Sequence, residues 1–259
     1  MLSSLRKWAA CTLLLGASGL FAYVLYELGT MPAKAGPSGK DLFFLASGLV
    51  GALVALFGIA TNRTWGRWFG MAIGVSGFSL VGITAFSGPM GLRWNLFALL
   101  ALGGSTSLIL LLAGPSMAQR LGSKGNPFTR GGGRRASLLG VAVVLSLAAV
   151  PTLWAWGCIG SAGQHLTRGM ALAAAGLLGL GSLLIIWQRT AGLLALLVGG
   201  AIATALALMV LFADSDTQQR TIGWQIGVQW LLAAAGGIVA MIATARPVCR
   251  VLAGKPPVA

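Results

Sequence analysis

Long apolar runs alternate along the chain with short segments that contain prolines, charges or paired polar residues. A helix that crosses the hydrocarbon core of a bilayer needs about 20 predominantly apolar residues. Eight runs meet this requirement, and we expect each to form one membrane-spanning helix. Their predicted bounds are Trp8–Leu28, Leu42–Thr61, Gly66–Phe86, Trp94–Ala113, Leu138–Trp156, Met170–Trp187, Ala191–Ala213 and Ile222–Ala245.

The composition points to the same class of protein. Hydrophobic residues make up 57% of the 259 residues and charged residues only 8%, whereas a soluble domain has roughly 25% charged residues. The predicted fold class is therefore an all-α integral membrane protein. The net charge of +14 is spread between the apolar runs instead of forming one basic face, so we expect an anionic lipid bilayer as the partner and not a nucleic acid.

The first run has a second interpretation, because Arg6 and Lys7 before an apolar stretch are also typical of a secretory signal peptide. The hydrophobic part of a signal peptide usually has 7–15 residues. Here the run continues for about 20 residues, the length of a full span. We therefore interpret it as the first spanning helix.

The basic residues predict the orientation, since Lys and Arg are enriched in cytoplasmic segments. With the N-terminus inside, most of the 18 basic residues fall on the cytoplasmic side. The exceptions are Lys34, Lys40, Arg93, Arg168 and Arg220. We therefore expect a plasma (inner) membrane protein with both termini in the cytoplasm.

The two halves of the chain match when one is shifted along the other. A shift of 128 places Arg6-Lys7 on Arg134-Arg135, and a shift of 126 places Asn62-Arg63 on Gln188-Arg189. A shift of 130 then pairs Trp94-Asn95 with Trp224-Gln225. We predict two tandem four-helix repeats, residues 1–114 and 134–259, joined by a basic Gly/Ser-rich cytoplasmic linker over 115–133.

Each predicted repeat has four spans, so both halves enter the membrane from the same side. The repeat is therefore expected to be parallel, with a pseudo-two-fold axis along the membrane normal. Small residues recur every fourth position in the third and seventh spans, and such stripes let helices approach closely. We predict helix packing at Gly66, Gly70, Gly74 and Gly199.

Few polar residues lie within or at the ends of the apolar runs. Glu27 and Arg93 stand at predicted outer ends, where they are expected either to reach water or to pair with each other. Asn95 and Gln225 follow matched tryptophans, and their amides are expected either to bond neighbouring helices or to line a polar vestibule. These four residues are the candidate polar positions.

The predicted linker carries a set of basic residues that are candidates for contact with anionic lipid or with an acidic partner. They are Arg120, Lys124, Arg130, Arg134 and Arg135.

Pro151 lies inside the fifth run, where it removes a backbone donor and is expected to bend the helix or to free a carbonyl group.

The sequence offers little material for catalysis. His165 is the single histidine, so haem held between two histidines and a histidine metal cluster are excluded within this chain. Cys11, Cys158 and Cys249 lie far apart and form no Cys-x-x-Cys motif. We predict no catalytic residue, no metal ligand and no cofactor.

Two hypotheses of function remain open at this point. The first is a non-enzymatic multi-pass membrane subunit or scaffold that packs against other membrane protein subunits. The second is a permease or flippase that moves an uncharged or amphipathic solute through the cleft between the two repeats. An enzyme acting on lipid is a third and weaker hypothesis, because no acid, base or nucleophile stands out.

Overall fold

The computed structural model of the chain describes residues 2–30, 39–79, 92–114, 116–117, 121, 134–159, 165–212 and 224–253. Within these ranges the chain is helical and contains no β-strand. Eight helices are described, and we number them in chain order. They are α1 (Leu2–Gly29), α2 (Gly39–Ala60), α3 (Thr64–Gly77), α4 (Leu92–Leu112), α5 (Arg134–Ile159), α6 (His165–Ile186), α7 (Ala191–Phe212) and α8 (Trp224–Leu252).

Five of the described helices are long and apolar enough to cross a bilayer. Their apolar segments are Ser3–Glu27, Ser137–Cys158, Leu166–Ile186, Ala191–Val210 and Trp230–Leu252. Two shorter apolar segments, Ala46–Ala60 and Leu99–Leu112, lie in α2 and α4. The protein is thus a helical membrane protein.

Some helices extend further than the apolar runs predict. Helix α1 begins six residues before Trp8, at Leu2, and α8 continues through Pro247 to Leu252. At both of these ends the helix extends beyond the apolar run through basic residues, because Arg and Lys are good helix formers. Helix α5 also continues through Pro151. The predicted third span reaches Phe86, but residues 80–91 lie outside the described ranges.

The chain divides into two compact units. Unit 1 comprises residues 1–75 and 102–124, and unit 2 comprises residues 76–101 and 125–259. Helices α3 and α4 each contribute to both units. The predicted linker over 115–133 falls mostly outside the described residues, and its role stays a prediction.

The core of unit 1 is apolar and is supplied by α1, α2, the end of α4 and two residues that follow α4. Its buried side chains are Ala10, Cys11, Leu14, Ala55, Ile59, Leu108, Leu112, Met117 and Leu121. Neighbouring positions of α1 face opposite ways, since Leu14 is 0% exposed and Leu15 is 61% exposed. An exposed leucine in the middle of a spanning helix is what a lipid-facing surface requires.

Unit 2 has a larger described core, in which α5–α8 pack side by side. Helix α5 contacts α6 and α8, and α7 contacts α6 and α8. Small residues allow these approaches, because the added Cβ of an alanine at Gly236 would already lie 3.1 Å from the carbonyl oxygen of Leu145. Helices α5–α8 thus form a closed cycle of contacts, and Leu153, Leu178, Leu196 and Leu206 on three of them are fully buried.

Candidate functional site

The glycine stripe of α3 faces the interior of unit 1. A Cβ added to Gly66 would lie 2.6 Å from the Cα of Gly58 in α2, and one added to Gly70 would lie 2.6 Å from the Cδ1 of Leu112. A Cβ added to Gly74 would lie 3.1 Å from the carbonyl oxygen of Ser105 in α4. The three glycines therefore lie against both neighbouring helices, and at Gly66 two backbones are in direct contact.

A substitution at Gly70 tests the packing of α3, because the atoms nearest an added Cβ there belong to side chains and not to backbone. Gly70→Leu is expected to lower the free energy of unfolding by about 1–3 kcal/mol, because a large side chain would be forced against Leu112 and Ile59. The measurement is the melting temperature in mild detergent. Gly16→Leu is the matched control, since no atom of a described residue lies within 4 Å of the added Cβ at Gly16. Equal melting temperatures for the two variants would contradict the packing argument.

Unit 2 has a seam of the same kind on α7. A Cβ added to Gly199 would lie 2.8 Å from the Cβ of Leu177 in α6, and one added to the next residue, Gly200, would lie 2.7 Å from the carbonyl oxygen of Gly237 in α8. Gly192 lies equally close to the carbonyl oxygen of Gly181. Adjacent faces of α7 are thus fixed against two helices at backbone distance.

The turns between α2 and α3 and between α6 and α7 have the same backbone structure. Asn62 and Gln188 both have positive φ, 56° and 62°. In the first turn the Asn62 amide donates to the carbonyl of Ile59, and the Arg63 amide donates to that of Gly58. This pair of bonds is the Schellman motif that ends many helices.

Each hydrogen bond of the first turn recurs in the second turn 126 residues later. The amides of Gln188 and Arg189 donate to the carbonyls of Ile185 and Leu184 at 2.9 and 2.8 Å. The amides of Gly66 and Gly192 donate to the carbonyls of the turn arginines, at 3.2 and 3.1 Å. The shift of 126 that aligns Asn62-Arg63 with Gln188-Arg189 in the sequence thus also aligns the two turns bond by bond.

Basic side chains at the start of α1 cap the ends of two other helices. The Nζ of Lys7 donates to the carbonyl oxygen of Ala60 at 2.8 Å and to the Oδ1 of Asn62 at 2.9 Å. The Nη2 of Arg6 donates to the carbonyl oxygens of Leu110 and Ala113, both at 2.6 Å. A helix C-terminus carries partial negative charge and unpaired carbonyls, so a cation there is stabilising.

A third basic side chain, that of Arg67 on α3, also caps the C-terminal end of α4. The Nε of Arg67 donates to the carbonyl oxygen of Leu112 at 2.8 Å, while the exposed Arg63 lies in the turn just before α3. We call Arg6, Lys7, Arg63 and Arg67 the cationic end of unit 1. Among side chains that the structure describes, Glu27 is the one carboxylate, and it lies near the opposite end of α1.

Buried polar atoms without partners are concentrated in unit 2. Five such atoms have no hydrogen-bond partner among the described residues, and two of them are the hydroxyls of Ser146 and Ser182. The other three are the Oγ1 of Thr152 and the Nε1 of Trp156, one turn apart on α5, and the Nε1 of Trp230 on α8. The two indole rings meet edge to face with centroids 5.2 Å apart. These three groups form what we call the indole pair site.

The hydroxyl of Thr152 differs from the hydroxyls of two other buried threonines in its hydrogen bonding. Thr204 and Thr244 donate to the carbonyl four residues earlier in their own helices, at 2.8 and 2.6 Å. The equivalent carbonyl for Thr152, that of Ala148, instead accepts a bond from the Oγ of Ser76 at 3.2 Å. The Thr152 hydroxyl remains available for another group.

The predicted polar positions fall into two sets. Glu27 is exposed near the end of α1. Arg93 and Asn95 lie in α4 and Gln225 lies in α8, but their side chains are outside the described part of the structure. Pairing of Glu27 with Arg93 and a shared vestibule therefore stay predictions.

The predicted contact residues of the linker also lie mostly outside the described ranges. Arg120, Lys124 and Arg130 are in that part of the chain. Arg134 and Arg135 begin α5, and their side chains are not described. The roles proposed for them from sequence are neither supported nor opposed by the geometry.

Sequence reasoning missed both the capping role of Arg6, Lys7 and Arg67 and the indole pair site. The first had a signal, because basic residues recur beside the Asn62-Arg63 turn and at the start of α1. The second had none, since a threonine and two tryptophans in apolar runs reveal their burial only when α5 and α8 pack together.

Comparison of the chain with protein-family models, with curated proteins and with solved structures found no match. The described geometry provides close helix–helix contacts at glycines, a cluster of positive charge in unit 1 and buried hydrogen-bond donors without described partners in unit 2.

Proposed function

We propose that the chain is a non-enzymatic multi-pass membrane subunit or scaffold of a larger membrane assembly. The observation that carries the proposal is the way its helices are joined, by glycine contacts at backbone distance between α2 and α3, between α6 and α7 and between α7 and α8. Contacts of this kind cannot slide without steric clash, because interiors are already close-packed. They suit a rigid frame that holds other components in place.

The architecture proposed for this subunit is eight spans in two tandem four-helix repeats. The identical hydrogen-bond pattern of the Asn62 and Gln188 turns supports it. So does the position of Gly66 and Gly192, since each lies against the backbone nitrogen of the equivalent isoleucine, Ile59 or Ile185. The turn geometry and the sequence therefore match at the same shift of 126 residues.

The orientation proposed is the one with both termini in the cytoplasm of a plasma (inner) membrane. The uneven distribution of Lys and Arg supports it. Under this orientation the cationic end of unit 1 lies at the cytoplasmic surface, where its charge meets the anionic leaflet. The acidic Glu27 then lies at the outer surface.

The test of a subunit role is site-specific photo-crosslinking in native membranes. A photoreactive amino acid would replace one exposed residue at a time on α1, α2, α4, α6, α7 and α8: Leu15, Phe57, Leu100, Leu180, Leu194 and Ile242. We expect a protein adduct of one defined mass from some of these positions and none from the others, because an interface covers one part of the surface.

The matched control is the fully buried Leu14, beside the exposed Leu15. A photoreactive group there is expected to label only the chain itself. Adducts with lipid alone at all six exposed positions, together with a monomeric mass in native mass spectrometry, would contradict the proposal.

The indole pair site favours a second function, passage of an uncharged or amphipathic solute. Indole N–H groups only donate hydrogen bonds, so Trp156 and Trp230 suit a solute with a carbonyl, ether or hydroxyl oxygen. Leaving a buried donor unpaired costs about 1–3 kcal/mol, and a solute oxygen would remove this cost. Under this alternative, the crosslinking outcome with lipid alone is the expected one.

A further inference from the structure

The strongest unbalanced charge in the described structure is the cationic end of unit 1. Lys7 is buried with only 7% of its surface exposed, and Arg6 and Arg67 are half-buried. The one described carboxylate, Glu27, is 21 residues along α1 from Arg6, which is about 30 Å at the rise of an α-helix. Four cations therefore share one end of the unit with no anion near them in the part of the chain described.

The carbonyl contacts use only some of the donors in this cluster. Arg67 donates through its Nε, and the structure gives no partner to its terminal Nη1 and Nη2 groups among the described residues. Those two nitrogens form the fork that binds two oxygens of a phosphate at once. Arg6 donates to carbonyls of the same last turn of α4 through its Nη2 and to the Oγ of Ser116 through its Nη1 at 3.2 Å, so both guanidinium groups lie at the same helix end.

The surroundings of the cluster are those of a membrane surface. Leu5 and Trp8 flank Arg6 and Lys7 and are 70% and 65% exposed, and the Nζ of Lys7 lies 5.8 Å from the centroid of the Trp8 ring. Exposed tryptophans are typical of the headgroup layer. A lipid at this place would put its phosphate on the arginines and its acyl chains along α1.

We propose that the cationic end of unit 1 is a binding site for the phosphate of an anionic phospholipid, held between Arg67 and Arg6. The proposal rests on the proposed membrane orientation and deepens it by assigning one lipid to named residues. It does not depend on whether the chain joins a larger assembly.

The experiment measures the melting temperature of the full chain in a neutral detergent with added phosphatidylglycerol or phosphatidylcholine. We expect phosphatidylglycerol to raise it by about 5 °C or more than phosphatidylcholine does, as for a ligand at ~100 times its Kd. Arg67→Gln is expected to abolish at least half of this difference. Arg67→Lys keeps the charge but loses the pair of terminal nitrogens. Its lipid-dependent rise in melting temperature is expected to lie between that of the parent chain and that of Arg67→Gln.

Arg168→Gln is the matched control, because Arg168 also caps a helix end, donating to the carbonyl oxygens of Gly157 and Cys158 in unit 2. It is expected to keep the whole lipid-dependent rise, whatever its own stability. Equal loss in the two glutamine variants, or no preference for phosphatidylglycerol in the parent chain, would overturn the proposal. An equal rise with inorganic phosphate would overturn the lipid as occupant.

Because each rise is taken relative to the same variant without lipid, a variant that is merely less stable still reports on binding. A monomeric chain that keeps the phosphatidylglycerol preference would support the lipid site while contradicting the subunit role. An assembled chain without that preference would do the reverse.

Discussion

Replacing Gly66 by alanine is expected to lower the free energy of unfolding by about 3 kcal/mol or more, the upper end of the cost of overpacking. The new Cβ would lie 2.6 Å from the Cα of Gly58 and closer still to the carbonyl carbon of Gly58 and the nitrogen of Ile59. These are backbone atoms, which no change of rotamer can move away. Helices α2 and α3 must separate to admit a single methyl group.

The measurement is thermal unfolding in mild detergent, with the fraction of folded protein read from gel filtration after heating. Gly16→Ala is the control, because it introduces the same methyl group where none of the described atoms lies within 4 Å. In a helix, this control is expected to be neutral or slightly stabilising. Two variants of equal stability would show that α2 and α3 do not approach as closely as described.

Gly192→Ala extends this prediction to unit 2. Its Cβ would lie 2.7 Å from the carbonyl oxygen of Gly181 and 2.8 Å from the nitrogen of Ile185. A loss comparable to that of Gly66→Ala is expected if the two glycines are equivalent positions of a repeat. A neutral Gly192→Ala beside a destabilised Gly66→Ala would count against the equivalence.

Lys7→Met is expected to produce the second large effect, a loss of about 2 kcal/mol, since hydrogen bonds to a charged group contribute roughly 1.5–3 kcal/mol. Methionine keeps an unbranched side chain one atom shorter than lysine and leaves the carbonyl oxygen of Ala60 and the Oδ1 of Asn62 without their donor. Besides a lower melting temperature, hydrogen exchange at the end of α2 should become faster.

The control for Lys7→Met is Arg63→Gln, which removes a neighbouring positive charge from an exposed side chain. Exposed substitutions of this kind usually change stability by less than about 0.5 kcal/mol. If both variants lost the same amount, the effect would come from net charge and not from the cap on α2.

The apolar pattern predicted the membrane class and the approximate place of every described helix, because hydrophobic length is a local property of the sequence. The four-residue spacing of Gly66, Gly70 and Gly74 also identified one face of α3. It did not identify Gly58 as the partner of Gly66, since that contact depends on how α2 and α3 are aligned after the turn between them.

The functional features depended more on packing and were harder to predict. Matching Asn62-Arg63 with Gln188-Arg189 located both turns, but positive φ at Asn62 and Gln188 was not anticipated, because glycine is the usual residue there. Arg6 and Lys7 were interpreted as determinants of orientation only. Their capping role arises because the start of α1 lies beside the ends of α2 and α4, a proximity between segments that are distant in sequence.

The short turn at Asn62 has a consequence for how this protein tolerates insertions and deletions. Gly58 and Gly66 are in backbone contact across only seven intervening residues, so the turn has no slack in which to absorb a change of length. A residue inserted within α2 before Gly58 would instead displace the start of that helix toward the segment around residues 31–38. Within this hairpin, changes of length are therefore expected at the far ends of α2 and α3, while the part between Gly58 and Gly66 keeps a constant length.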